Sequence, residues 1–127
     1  MRVLLVESDN ATAEIVADVL ASAGHVVVRA ATAAQARAAV ANGAWDACLA
    51  DGFGAVGVVV DPADSALFSA LARTAPVIVA SGRAWARHAD AAALGVAALL
   101  GKPYDVDVLL AELDRLTAPG GRLSATA

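Results

Sequence analysis

Cysteine is almost absent from this chain: Cys48 stands alone. An intrachain disulfide framework is therefore excluded, and a reducing compartment is the natural expectation. Aromatic residues are nearly as scarce, with two Trp, two Phe and one Tyr, so the core has to be built from Val, Leu, Ile and Ala. No cluster of Lys and Arg occurs, and the formal net charge is −4. Direct nucleic-acid binding, which requires several phosphates to be neutralised together, is not expected. Long apolar runs are missing too. The run after Met1 ends at Glu7, too short for a signal-peptide core or a membrane span. No membrane association is expected, and the cytoplasm is the expected location.

What the chain does have is alternation. Short apolar, β-rich runs recur at Val3–Val6, Val26–Arg29, Ala47–Ala50, Val77–Ala80 and Ala97–Leu100. They are nearly continuous rather than alternating, as in parallel strands covered on both faces. Longer alanine-rich segments separate them, and alanine is the strongest helix former. The first predicted helix runs from Ala11 to Ala23 and stops at Gly24. Thr32 and Gln35 form a capping box for a second that ends near Asn42 and Gly43. Asp61 caps a third, with Pro62 at its first position and Asp64 in its first turn. A fourth spans Ala84 to Ala93, closed by Gly95, and a fifth spans Val106 to Leu116 with leucines at 109, 110, 113 and 116. No internal repeat is present. Residues 1–117 read as one domain, and 118–127, with Pro119, Gly120 and Gly121, as a frayed tail or the start of a linker.

The pattern is (βα)5. Strands separated by helices pair in parallel through right-handed crossovers. The expected fold class is α/β: a doubly wound, flavodoxin-like, five-stranded parallel sheet of order 2-1-3-4-5 with helices on both faces. Ligands bind such sheets beyond the C-terminal strand ends, at the switch point between the first and third strands. The residues at those ends are Glu7, Ser8 and Asp9; Asp51; Ser81 and Gly82; and Gly101, Lys102 and Pro103. Carboxylates gathered there repel one another unless a cation joins them, and a hard ion such as Mg²⁺ takes oxygen ligands. Lys102 and the Ser81 hydroxyl are suited to hold phosphoryl oxygens, and phosphoryl transfer needs mainly positioning and charge neutralisation.

On the segments VLLVESDN, DACLADG, PVIVASG and ALGVAALLGKPYD, which span nearly the whole chain in order, the sequence resembles the response-regulator receiver domains of two-component signalling. The resemblance implies that Asp51 accepts a phosphoryl group from a histidine kinase or phosphotransfer protein. It implies that Ser81 is the switch hydroxyl and Lys102 the lysine of the phosphoryl pocket, with a cis Lys102–Pro103 bond. Mg²⁺ would bind through Glu7, Asp51 and the backbone carbonyl of Phe53. Asp9 divides between two roles, helix cap and metal ligand. Such a domain is a switch that catalyses its own modification, not a metabolic enzyme. It would act on a downstream protein or its own effector domain, through a face of helix 4, strand 5 and helix 5 that also suits a homodimer. As no effector domain follows, a stand-alone receiver or the front of a longer protein is expected.

Three departures accompany the resemblance. Ser8 replaces the second acid of the pair, so Mg²⁺ affinity is expected to fall. The segment after Asp51, GFGAVGVVVDP, is glycine-rich and apolar. Leu99 stands where a switch aromatic often serves, and is expected to lie buried against helix 4 or 5. These departures favour the alternative reading, a pseudo-receiver that acts as a phosphorylation-independent interaction module. GFGAVG also matches a dinucleotide fingerprint, but Val58–Val60 and Pro62 follow where a helix should start, and no acidic partner lies in PVIVASG. A flavin- or nucleotide-binding enzyme is disfavoured on the same ground. Trp45 is expected to plug the core ahead of strand three, and Cys48 to be a small buried hydrophobe. Trp85, with Arg83, Arg87 and His88, reads equally as a docking patch or as a core anchor.

Overall fold

Apolar runs form strands, and among the described residues five do: β1 (Arg2–Val6), β2 (Val26–Ala30), β3 (Ala47–Ala50), β4 (Val77–Ser81) and β5 (Ala98–Gly101). The computed structural model describes residues 1–53, 59–87, 89–102 and 104–117. All strand pairs are parallel, in the order β2-β1-β3-β4-β5, as the alternation of elements predicts. The interior strands β1, β3 and β4 are buried almost throughout, whereas β2 at the sheet edge exposes Val26 and Val28.

Side chains alternate across the sheet and build two cores. Leu4, Val6, Cys48, Ala50, Val77 and Val79 point to one face. There they meet Ala36 of α2 (Ala33–Asn42), Leu67, Phe68 and Leu71 of α3 (Pro62–Ala72), and Leu94 of α4 (Ala91–Leu94). Val3, Leu5, Ala47, Leu49, Ile78 and Ala80 point to the other. There they meet Ala13 and Leu20 of α1 (Asn10–Ser22), and Leu109 and Leu113 of α5 (Val106–Thr117). Each fully buried Leu or Phe contributes roughly 1.5–3 kcal/mol to holding a helix on the sheet.

The helix ends follow their expected punctuation. The Thr32 hydroxyl accepts from the Gln35 amide at 3.1 Å, while Gln35 Oε1 reaches back to the Ala31 amide at 2.7 Å. Asp61 accepts from the Ala63 amide, with Pro62 in the first turn. Gly24 and Gly95, which follow α1 and α4, adopt φ of 94° and 74°, a conformation glycine reaches without strain. Trp45 is buried as expected; its indole donates to Ala39 O at 3.1 Å, and Arg2 lies over the ring. Cys48 is fully buried, and burial pushes its thiol up to about 12.

The fourth helix departs from expectation. In place of one helix over Ala84–Ala93, a 3₁₀ turn at Ala84–Arg87 precedes a four-residue α4. Asp90 is extended, with φ −109° and ψ 132°, and breaks the path. The segment is rich in alanine but has no apolar stripe long enough to hold a continuous helix to the sheet. The Trp85 ring, 1 % exposed, instead anchors the 3₁₀ turn against Phe68, with ring centroids 6.1 Å apart. Trp85 is thus a core anchor rather than part of a docking patch. The Arg87 side chain, His88, the cis Lys102–Pro103 bond, residues 54–58 of the glycine-rich loop and the tail 118–127 lie outside the described residues. No helix among the described residues is long and apolar enough to cross a membrane.

Candidate functional site

Parallel register brings the strand ends together. Val6 of β1 pairs with Ala50 of β3, so Glu7 and Asp51 follow side by side. The Asp51 amide donates to Val6 O at 3.0 Å, and the Glu7 amide to Ala30 O at 3.1 Å, which carries the ladder one residue past the strands. On the far side, Ser81 pairs with Gly101, and the Lys102 amide donates to Ser81 O at 2.9 Å. Lys102 is thereby fixed across β4 from Asp51.

The side chains close the site. Lys102 Nζ donates to Glu7 Oε1 at 2.6 Å and to Asp51 Oδ2 at 3.1 Å. Three of the sequence-predicted residues therefore meet directly. Glu7 is buried, and the Asp51 side chain keeps 12 % of its surface open. Burial by itself lowers the Lys102 ammonium, but the hydrogen bond to Glu7 and the charge of Asp51 outweigh it and hold the group above its ordinary value. Lys102 stays charged at neutral pH. The Tyr104 phenol lines the same cleft. Burial raises it, and the nearby Lys102 charge offsets part of that rise.

Other expected residues are placed differently. Asp9 does not turn to Asp51. Its carboxylate caps α1, accepting from the Thr12 amide at 2.8 Å and the Thr12 hydroxyl at 2.6 Å. Those two bonds hold the Asp9 carboxyl below its ordinary value. Of the two roles open in the sequence, the structure gives Asp9 that of a cap. Ser81 is 1 % exposed, and its Oγ accepts from the Arg83 amide at 3.1 Å. Ser8 is exposed. The backbone after β1 is held by the Arg29 fork, which donates to Glu7 O at 2.9 and 3.1 Å and to Ser8 O at 3.3 Å. Leu99 is half-buried and packs into the core cluster that contains Trp85 and Leu94.

Two residues that the sequence suggested only for other roles belong to the site. Arg83 Nη1 lies 3.0 Å from Asp51 Oδ1, an ion pair with both side chains mostly covered. Oδ1 also accepts from the Gly52 amide at 2.7 Å. Asp64, buried in the first turn of α3, accepts from the Phe53 amide at 2.8 Å and so fixes the segment after the acceptor. Arg83 gave one usable signal, its position two residues past Ser81 at a strand end. Asp64 gave none, because an acid in a first helical turn is ordinary.

Among the described residues no group of three or more His, Cys, Asp or Glu side chains is placed to hold a metal ion. Glu7 and Asp51 supply two carboxylates, both engaged by cations of the chain itself. The donor set fits a divalent ion poorly.

No protein-family model matches the sequence, and neither does any curated protein. Solved structures do match in fold. The receiver domain of Francisella response regulator 1452 aligns with a TM-score of 0.76 at 20 % identity, over 91 % of this chain and 95 % of that one. Thermotoga maritima response regulator TrrA, in complex with Mg²⁺-BeF, aligns at 0.74 and 16 % identity, over 91 % and 97 %. The receiver domain of a Pseudomonas aeruginosa sensor histidine kinase, with magnesium coordinated in its active-site cleft, aligns at 0.73 and 23 % identity, over 91 % and 96 %. Strand order and the alternation of strands and helices agree with the resemblance read from the sequence, and the chain has the fold of a divergent response-regulator receiver domain.

Proposed function

We propose that this domain accepts a phosphoryl group on Asp51 from the phosphohistidine of a histidine kinase or phosphotransfer protein, and relays the change to a protein partner. One observation carries this reading: a partly open carboxylate at the switch point with Lys102 on one oxygen and Arg83 on the other. An Asp51 oxygen attacks phosphorus, the P–N bond breaks, and the imidazole leaves with the electron pair and takes a proton from solvent. The transferred group brings three charged oxygens. Lys102 and Arg83 already donate to Asp51 and would hold a group placed on it, with the Ser81 hydroxyl at the end of the neighbouring strand as a third donor; charge-assisted bonds of this kind are the strong ones. Mg²⁺ has a weak part in this reading, given two engaged carboxylates, and no step depends on it. The domain then acts as a signalling switch in the cytoplasm rather than as a metabolic enzyme. Its output face comprises α4, β5 and α5, which also serves for any homodimer.

The experiment is intact mass after incubation with phosphoramidate. One added phosphoryl group is expected on the natural protein and none on Asp51→Asn. A second reading, a phosphorylation-independent interaction module, draws on the ion pairs that already occupy both Asp51 oxygens. Absence of any mass increase on the natural protein, with or without Mg²⁺, decides for it.

A further inference from the structure

The four charged side chains that meet at Asp51 carry no net charge. Two carboxylates, Glu7 and Asp51, face two cations, Lys102 and Arg83. Lys102 bridges both acids, so its single charge is shared between them. Arg83 serves Asp51 and leaves 19 % of its side chain exposed. Its backbone is anchored as well, because its amide donates to Ser81 Oγ at 3.1 Å. The guanidinium is therefore presented to Asp51 from a fixed strand end rather than swung in on a free loop. A divalent ion approaching this cluster meets acids already paired with cations, and among the described residues no third carboxylate is placed to complete a metal site: Asp9 accepts from Thr12 and Asp64 from the Phe53 amide.

We propose that Arg83 is the resident counter-cation of Asp51, doing the work of a divalent ion. It depresses the affinity of the site for Mg²⁺, and it neutralises the phosphoryl oxygens itself, so that phosphorylation proceeds without metal. Arginine suits this role. It is always charged, and its planar fork can leave a carboxylate oxygen for two phosphoryl oxygens in one small movement. The Asp51–Arg83 pair is then an initial state, and the phosphoryl–Arg83 pair a final one, of the same guanidinium. The phosphorylation half of the proposal rests on Asp51 being the acceptor; the metal half does not.

The test compares the natural chain with Arg83→Ala and Arg83→Lys, after circular dichroism establishes that each folds. Mg²⁺ is titrated by calorimetry. Removing one nearby positive charge should tighten Mg²⁺ by about tenfold in Arg83→Ala, while Arg83→Lys, which keeps the charge, stays near the parent. Phosphoramidate labelling is then followed in chelator and in Mg²⁺. The natural protein should label at rates within roughly threefold of each other in the two conditions. Arg83→Ala should lose about tenfold or more in chelator and recover with Mg²⁺. Equal Mg²⁺ affinity in the parent and Arg83→Ala overturns the proposal, as does labelling of the natural protein that requires Mg²⁺. Tighter Mg²⁺ binding by Arg83→Ala without labelling of any variant removes Asp51 as acceptor and retains the counter-cation. Metal-dependent labelling indifferent to Arg83 does the reverse.

Discussion

The carboxylate of Asp64 occupies the space a side chain on Gly52 would need: a Cβ added there would fall 2.5 Å from Asp64 Oδ2. The same carboxylate accepts from the Phe53 amide at 2.8 Å. A helix residue thus holds the two residues that follow Asp51, and glycine at 52 is what lets it come so close. Gly52→Ala forces Asp64, which is buried, to give up that bond or the backbone to shift. We expect a loss of about 1–3 kcal/mol in denaturant unfolding. Asp64→Ala should lose a similar amount, about 1–3 kcal/mol, by leaving a part-buried amide unpaired, and Asp64→Asn, which keeps an acceptor, clearly less. A neutral Gly52→Ala would show that the helix yields freely and that the contact is incidental.

Asp9 separates two roles by substitution. As a cap it accepts from Thr12, so Asp9→Ala should lower the unfolding midpoint, while Asp9→Ser, also a good cap, should restore most of it. The pH dependence follows in sign. The two Thr12 bonds depress the folded-state carboxyl, so this stabilisation is fully present above the ordinary aspartate value of about 3.9 and is lost as pH falls through the lowered one. Mg²⁺ affinity should fall by less than about threefold in Asp9→Ser, the effect of one nearby charge rather than of a lost ligand. A marked weakening there would return Asp9 to the metal.

Trp85 is fully buried, and among the described residues its indole Nε1 has no hydrogen-bond partner. Two contributions therefore oppose each other at this position. Trp85→Ala empties the core beside Phe68 and should cost about 3–5 kcal/mol. Trp85→Phe keeps much of the ring and removes the unpaired N–H, so it should cost well under half as much. Equal losses in the two variants would mean that the indole N–H is satisfied after all.

Cys48 provides a clean probe of global unfolding. Its thiol lies in β3 with no exposed surface, and burial raises it to about 12. At about pH 8 the thiolate is negligible in the folded state, so a thiol reagent should label Cys48 only as fast as the chain opens. Rapid labelling of the folded protein would contradict the packing of β3 between its two helical layers.

The fold was legible because every interior strand is a continuous apolar run, and the first three helices carry readable caps. The Thr32–Gln35 box, Asp61–Pro62 and Gly24 all behave as their chemistry dictates. Glu7, Asp51 and Lys102 were legible for one further reason: parallel pairing sends strand ends to one edge, so three separate positions collapse to one site. The rest depended on reach. Arg83 can extend to solvent or to any acid within its span, and nothing along the chain chooses Asp51. Asp64 looks like a dipole-favoured first-turn acid until α3 is docked. The break between the 3₁₀ turn and α4 was hidden because alanine favours a helix locally, while the docking of Trp85 and the extended Asp90 decide the path.

The last prediction concerns Ser8, the residue beside Glu7. Its backbone carbonyl accepts from Arg29, along with that of Glu7, so position 8 is held beside Glu7 with an exposed side chain. The cluster of Glu7, Asp51, Lys102 and Arg83 has no net charge, two acids against two cations. Ser8→Asp adds one negative charge and a third oxygen ligand without disturbing any bond that the serine hydroxyl makes among the described contacts. Mg²⁺ prefers a carboxylate-rich oxygen set, and one added charge that ligates the ion is worth about tenfold or more in affinity. Calorimetric titration should therefore show Ser8→Asp binding Mg²⁺ at least about tenfold more tightly than the natural protein. The gain should add to that of Arg83→Ala if the two act on the charge of one cluster from opposite sides. If the natural protein already binds as tightly as Ser8→Asp, the missing acid is supplied elsewhere in the chain, and the serine is no obstacle to metal.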